Sequence, residues 1–254
     1  MKELLSLGQM LSVQARLQPE KTGARDLERA MSFSLWNERS CRLANALLGL
    51  GLKKGDRVAV LAYNCVEWAE IYAATAKAGL IAVPINFRLI AREAAYVIEN
   101  SESTALIVQD ELRDVIEEIR ATLPIREQNY IHFGAAKAPA GWRDYEDFLS
   151  RASASEPGQH VASSDPWTLM YTSGTTGKPK GVIRSHKGGA LLSLVTQIEL
   201  GFTRDDQSLL VMPMCHANSL YFFEALAYCG ATTDRKSTRL NSSHIPLSRM
   251  PSSA

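Results

Sequence analysis

No two cysteines in this 254-residue sequence are spaced to frame a metal site. Cys41, Cys65, Cys215 and Cys229 stand far apart, and none belongs to a Cys-x-x-Cys pair. A chain this long can close an apolar core without disulfides, so four reduced thiols in a reducing compartment are expected. No window approaches about 18 uninterrupted apolar residues, which excludes a bilayer-crossing helix. The N-terminal Met1-Lys2-Glu3-Leu4-Leu5 soon meets Gln9, Gln14 and Arg16, so no secretory apolar segment forms. Excess charge is lacking as well. Twenty-eight Lys and Arg against 27 Asp and Glu leave +1, which gives no electrostatic footprint for nucleic acid or an anionic membrane. These absences predict a soluble, cytoplasmic protein whose partners are small molecules; they are silent on oligomeric state.

What is present is an alternation of short apolar runs with amphipathic stretches. Helical spacing covers Leu4 to Ala15, ending before Pro19, and Leu35 to Leu50, where Leu43, Ala46, Leu47 and Leu50 share a face. The polar stretch Lys21 to Met31 reads as a loop. Val58-Ala59-Val60-Leu61 reads as a buried strand after the turn Lys53-Lys54-Gly55-Asp56. Asn64 and Glu67 have the spacing of a capping box for a helix running to Lys77 and stopping at Gly79. Strand Leu80 to Val83 closes at Pro84. Helix Ala91–Glu99, strand Ala105–Val108, helix Glu111–Leu123, strand Tyr130–Phe133 and a short amphipathic segment, Tyr145–Leu149, follow. The pattern predicts an α/β fold with mostly parallel sheets flanked by helices. Its first block spans about residues 1–150, a Ser-, Ala- and Glu-rich linker 150–165, and a second block 166–233. In the second block a helix from Ala190 to about Leu200, strand Ser208–Met212 and an apolar helix Asn218–Tyr228 are expected. Asp205-Asp206 reads as a solvated turn and not a metal site, since neighbouring side chains do not converge on one ion.

The second block opens on the densest chemistry in the chain, Tyr171-Thr172-Ser173-Gly174-Thr175-Thr176-Gly177-Lys178-Pro179-Lys180-Gly181. Glycines let several backbone N–H groups point at one anion, hydroxyls add donors, and a lysine ammonium offsets negative charge. It is a loop for phosphate. The Walker A spacing fails, because Thr172 stands where the first glycine belongs and Pro179 where the Ser or Thr belongs. Pro179 also biases Lys178 towards an extended backbone. Flanked by Trp167–Tyr171 and Gly181–Ile183, the grip is a strand–loop–strand turn.

Tyr171–Gly181 resembles the signature loop of the adenylate-forming (AMP-binding) superfamily of acyl-CoA synthetases, luciferases and peptide-synthetase adenylation domains. Leu43–Leu48 with Lys54–Val60, Lys77-Ala78-Gly79 with Val83-Pro84-Ile85-Asn86, and Pro213-Met214-Cys215-His216 resemble further blocks of that family. The resemblance runs from about residue 30 to Thr233. It implies an acid–thiol ligase: a carboxylate attacks the α-phosphorus of ATP, and coenzyme A then displaces AMP from the acyl-adenylate. It implies ATP, Mg²⁺ and coenzyme A as cofactors and a small carboxylic acid, fatty or aromatic, as substrate, as in fatty acid metabolism. Thr172, Ser173, Thr175 and Thr176 would donate to the β- and γ-phosphates, Gly174 and Gly177 would permit close approach, and Lys178 or Lys180 would supply charge, with the lysines ranked last. His216 falls where the family places a residue near the acyl pocket. Cys215 reads as a small buried hydrophobe, and His186 as a residue orienting the segment after the loop. An amino-acid adenylation domain and a non-catalytic nucleotide-binding module stand as alternatives.

From Asp234 the sequence loses period and turn logic. Residues 234–244 and 248–254 read as a translated sequencing-library adapter, so 234–254 is expected to be a non-native tail. The family's later Tyr-Gly-x-Thr-Glu segment, ribose-binding Asp and C-terminal lysine do not appear. The expectation is a truncated N-terminal domain, 1–233, that is inactive by itself, with no metal ligands assigned.

Overall fold

In a computed structural model the chain is described over residues 5–135, 137–172, 178–235 and 249–250. Helix α1 (Leu7–Leu17) starts on a capping box in which Ser6 Oγ accepts from the Gln9 N–H and Gln9 Oε1 from the Ser6 N–H. There follow β1 (Thr22–Arg25), β2 (Ala30–Ser32), α2 (Phe33–Gly49), β3 (Arg57–Leu61), α3 (Glu67–Ala78), β4 (Ile81–Ile85), α4 (Ala91–Asn100) and β5 (Ser103–Gln109). Next come α5 (Arg113–Glu117), β6 (Tyr130–Phe133), β7 (Arg143–Asp144), α6 (Tyr145–Ser150), β8 (Pro166–Thr172) and β9 (Lys180–Ser185). The described chain ends with α7 (His186–Leu200), β10 (Gln207–Leu210), α8 (Ala217–Cys229), β11 (Thr232–Arg235) and β12 (Arg249–Met250).

Among the described residues these strands form two sheets. One runs β7-β6-β5-β3-β4-β8-β9 and is parallel except where β9 turns back on β8; the other runs β12-β10-β11-β1-β2. The first fits the α/β expectation. Alternate residues of its strands feed two cores. Val58, Val60, Ala82, Ile107 and Trp167 pack against α2 and α3, whereas Ala59, Leu61, Val83, Leu106 and Val108 face α4. Trp36, Trp68, Trp167 and Tyr72 are fully buried in the larger core, and each burial is worth roughly 2–3 kcal/mol. Gly79, at φ +67°, ends α3 in the left-handed conformation that favours glycine.

A second feature closes the first block. Arg39 of α2 donates to both oxygens of the buried Glu70 on α3, at 2.6 and 3.2 Å, and to Glu146 of α6 at 2.9 and 2.6 Å. The buried Tyr145 hydroxyl donates to Glu70 at 2.7 Å. Burial raises the Glu70 carboxyl above its usual range, with Arg39 and Tyr145 opposing. One charged knot therefore ties three helices. The segment 150–165 lacks regular structure but is fastened to this block: Lys77 Nζ reaches Glu156 at 2.8 Å and Lys54 Nζ reaches Asp165 at 2.6 Å. Because β8 lies beside β4, the two blocks share one sheet.

Several elements depart from the sequence reading. The loop expected over Lys21–Met31 is a two-stranded turn, β1 and β2, because β1 pairs in parallel with β11, some two hundred residues away. Strand β4 continues through Pro84 to Ile85, with Pro84 opposite Val60. The helix expected over Glu111–Leu123 is reduced to α5 between two 3₁₀ turns. There Arg120 turns back to stack on Tyr130 and Trp142, its carbon 4.4 and 5.0 Å from the ring centroids, and donates to the Gly141 carbonyl. Helix α7 begins four residues earlier than expected, capped by Ser185 Oγ, which accepts from the Gly188 N–H. Strand β11 carries the ladder two residues past Thr233, where Asp234 pairs with Arg25 at 2.6 Å.

Candidate functional site

Strands β3, β4 and β8 run parallel, so the turns after all three open on one rim of the sheet, the edge where open α/β folds hold ligands. The β8–β9 hairpin projects from that rim. Its last described pair is Thr172 opposite Lys180, and Ser173, Gly174, Thr175, Thr176 and Gly177 lie outside the described residues. The strand–loop–strand expectation is met at both feet of the turn, with Thr172, Lys178 and Lys180 all exposed.

Both feet are held by α4. The Tyr96 hydroxyl donates to the Pro179 carbonyl at 3.2 Å, and its ring meets Tyr171 edge-on at 6.5 Å. The Lys178 ammonium sits 5.6 Å from the Tyr96 ring centroid, within range of a cation–π attraction. The Tyr171 hydroxyl donates to Asn100 Oδ1 at 2.7 Å, and burial followed by the nearby Tyr96 pushes it up to about 12. Lys178 thus serves to brace the hairpin as well as to carry charge. Tyr96 and Asn100, spaced i and i+4 on one helix, went unnoticed in the sequence; their only signal was that spacing on the flank of the apolar stripe Ala94, Val97, Ile98.

The second wall of the rim is the segment Pro213–His216. Asn64 holds it from below, its Oδ1 accepting from the Met214 N–H at 2.7 Å and its Nδ2 donating to the Met212 carbonyl at 2.9 Å. Tyr72 and Ser219 hydroxyls donate to the Met214 and Met212 carbonyls at 2.8 and 2.6 Å. This corrects the expected capping box. Helix α3 is capped at Val66 without a side-chain bond, Asn64 is committed to the distant loop, and Glu67 takes a two-pronged pair with Arg29 at 2.6 and 3.0 Å. A cap and a clasp need the same short amide, and the tertiary partner wins.

His216 occupies the position before α8, half-buried, and burial followed by the Arg88 charge lowers its pKa. A neutral imidazole beside a guanidinium is a donor and acceptor next to a fixed cation, suited to an anion. Cys215 is buried and pushed up to about 12 by burial, so it is a packed thiol and not a nucleophile. His186 is buried against Trp167, rings stacked at 5.9 Å, and burial takes it down to about 4. Beside it Arg184 pairs with the buried Glu224, which burial pushes up to about 7 against the pull of Arg184. The turn at Asp205-Asp206 is solvated only at Asp205; Asp206 is buried and accepts from the Thr203 N–H at 2.7 Å. Among the described residues no group of three or more His, Cys, Asp or Glu side chains is arranged to hold a metal ion.

A family profile described as "AMP-binding enzyme" matches residues 11–241. The long-chain-fatty-acid–CoA ligase FadD13 of Mycobacterium tuberculosis is 35% identical over 216 residues, which make up 84% of this chain and 41% of that protein. A medium-chain-fatty-acid–CoA ligase of Ectopseudomonas oleovorans is 33% identical over 195 residues, 73% of this chain and 36% of that one. Among solved structures, the anthranilate CoA ligase AuaEII in complex with anthranoyl-AMP superposes with a TM-score of 0.85 at 26% identity, covering 92% of this chain and 45% of that one. The chain spans about two-fifths of the length of the curated relatives it matches.

Proposed function

The chain belongs to the AMP-binding enzyme family, and we propose that it is the N-terminal portion of an ATP-dependent acyl-CoA synthetase acting through an acyl-adenylate. The observation that carries the reading is the rim itself. A hairpin braced by Tyr96 and Asn100 presents a Ser/Thr/Gly/Lys loop on the same edge as His216.

In the first step a carboxylate oxygen bonds to the α-phosphorus of ATP while the bond to the bridging oxygen breaks and pyrophosphate leaves. Both reactants are anions, so the protein's part is positioning and charge offset. Thr172, Ser173, Thr175 and Thr176 donate to the β- and γ-phosphates, Gly174 and Gly177 admit the phosphates to the backbone, and Lys178 and Lys180 offset charge. Neutral His216, with Arg88 beside it, orients the carboxylate. In the second step the coenzyme A sulfur bonds to the acyl carbonyl carbon, the bond to AMP breaks, and the thiol proton passes to solvent. Mg²⁺ would accompany the triphosphate and offset its charge; no residue of this chain is assigned to it. The substrate class is a small carboxylic acid, fatty or aromatic, and the setting cytoplasmic. Residues 234–254 take no part, and the adenine, ribose and coenzyme A contacts belong to segments beyond these 254 residues.

Calorimetric titration with ATP tests the loop, and ATP–pyrophosphate exchange tests the truncation. Saturable ATP binding that is lost in a Thr175→Ala/Thr176→Ala variant is expected, with no exchange turnover. Absence of any saturable binding overturns the phosphate loop, and robust exchange overturns the inactive-fragment reading.

A further inference from the structure

The two residues after the central strand β3 reach both loops that carry charge to the rim. Asn64 is buried, accepts from the Met214 N–H and donates to the Met212 carbonyl. A carboxamide offers a donor and an acceptor side by side, much as a neighbouring strand would. The segment it grips is short and tied at each end. The His216 N–H donates to the Pro213 carbonyl at 3.0 Å, closing a tight turn, and the His216 carbonyl accepts from the Leu220 N–H at 3.2 Å, starting α8. His216 therefore has a clasped turn on one side and a helix on the other.

Asn64 is itself fixed. The Tyr63 N–H donates to Gln109 Oε1 at 2.8 Å, and the Tyr63 carbonyl accepts from Trp68 Nε1 at 2.9 Å. The Tyr63 ring meets Phe87 edge-on at 5.0 Å, and the Arg88 guanidinium carbon lies 5.8 Å from the centroid of that same Phe87 ring. The Arg88 charge in turn acts on His216. One turn thus reaches His216 through the Met212–Met214 backbone and Arg88 through Phe87.

We infer that Tyr63-Asn64 is a positioning element that sets His216 of the second block against Arg88 of the first. Both members of the pair stand on loops, and such a pair keeps its geometry only where a supporting shell locks it. Strand β3 lies between β5 and β4 and is buried from Val58 to Leu61, so it is a rigid base for that shell. What the pair binds, a substrate carboxylate, rests on the function proposed above. That Tyr63-Asn64 holds the pair does not.

A nuclear magnetic resonance titration of His216 in the 254-residue chain tests it. Burial first and the Arg88 charge second hold this imidazole below its ordinary 6.5. Asn64→Ala releases the turn from both, and His216 should return to about 6.5. Tyr63→Leu keeps the clasp and removes the ring against Phe87, so it should give a smaller rise. Ile107→Val, in the buried core on β5, should lower Tm and leave His216 where it is. In the wild type the Met214 amide should exchange with deuterium as slowly as the amides of α8, a readout that needs no variant. A lowered Tm with His216 unmoved in both rim variants overturns the inference, and so does a Met214 amide that exchanges at the rate of an open loop. Should Asn64→Ala fail to fold, Tyr63→Leu and the exchange rate decide. Benzoate, added as a carboxylate probe, should shift the His216 ring signals in the wild type and not in Asn64→Ala. A wild type indifferent to benzoate, with His216 still relaxing in Asn64→Ala, upholds the positioning and overturns the carboxylate role given to His216.

Discussion

The first block and the hairpin-α7 region are built from the same kinds of element yet closed in opposite ways. In the first block the long helices bury their apolar faces against the sheet or against one another, and its buried charges are paired: Glu70 meets Arg39 and Tyr145, Lys77 meets Glu156. Around α7 the apolar stripe faces outward. The interior there holds His186, Ser193, Glu224 and Arg184, each with at least one buried polar atom lacking a partner within the chain. Ser40, Asn129, Tyr130 and His132 of the first block also hold a buried polar atom without a partner, so what sets the regions apart is the side on which the apolar stripe lies. Order in an element's own backbone is therefore no guide to whether its surroundings are finished.

The contrast can be broken first in the closed block. Arg39→Met leaves the buried Glu70 with only Tyr145, and uncompensated buried charge costs about 3–5 kcal/mol. Urea unfolding at neutral pH should register a loss of that size; a loss below about 1 kcal/mol would mean the knot is an ordinary surface pair. The open region responds to pH. Glu224 has a folded pKa raised to about 7 from 4.5, so its contribution is complete below the unfolded value and fades as pH rises towards 7. His186 is lowered to about 4 from 6.5, so its contribution is complete above 6.5 and fades as pH falls towards 4. The two slopes oppose across their shared window, between the unfolded values of Glu224 and His186, and the wild-type stability profile should be nearly flat there. Glu224→Gln should uncover a rise with pH of up to about 3 kcal/mol, measured by denaturation at stepped pH; a profile that stays flat in the variant denies the opposition. The smallest effect lies at the joint between the regions. Tyr96→Phe removes the hydroxyl bond to Pro179 while keeping the ring under Lys178, and should cost about 1 kcal/mol. It should also weaken ATP binding more than it lowers Tm, because it loosens the loop's foot and not the core. Equal effects on both would make Tyr96 a packing residue only.

How far the residues themselves disclosed this depends on the range of the interactions. Leu43 to Leu50, Val58 to Leu61 and Ala105 to Val108 carried their helix or strand in their own spacing, and Gly79 marked a helix end by needing a positive φ. The loop at 171–181 stood out for the same reason, since nine of its eleven residues are Gly, Ser, Thr or Lys. The supports were hidden. Tyr96 and Asn100 look like ordinary helix residues until β8 and β9 are laid beside α4, and Asn64 followed by Glu67 imitates a cap. Thr22–Arg25 shows no strand period at all.

Sequence by itself settled the α/β class and the succession of the main helices and strands of the parallel sheet, because residue type and period over about ten positions carry those properties. Tertiary structure alone decided that β1 joins β11, that Asn64 holds the Met212–Met214 turn, and that α7 wears its apolar side outward. A short polar strand is stabilised by the backbone groups of neighbours two hundred residues away. A helix's hydrophobic stripe, for its part, records only that a face is apolar, and never which side the rest of the chain will occupy.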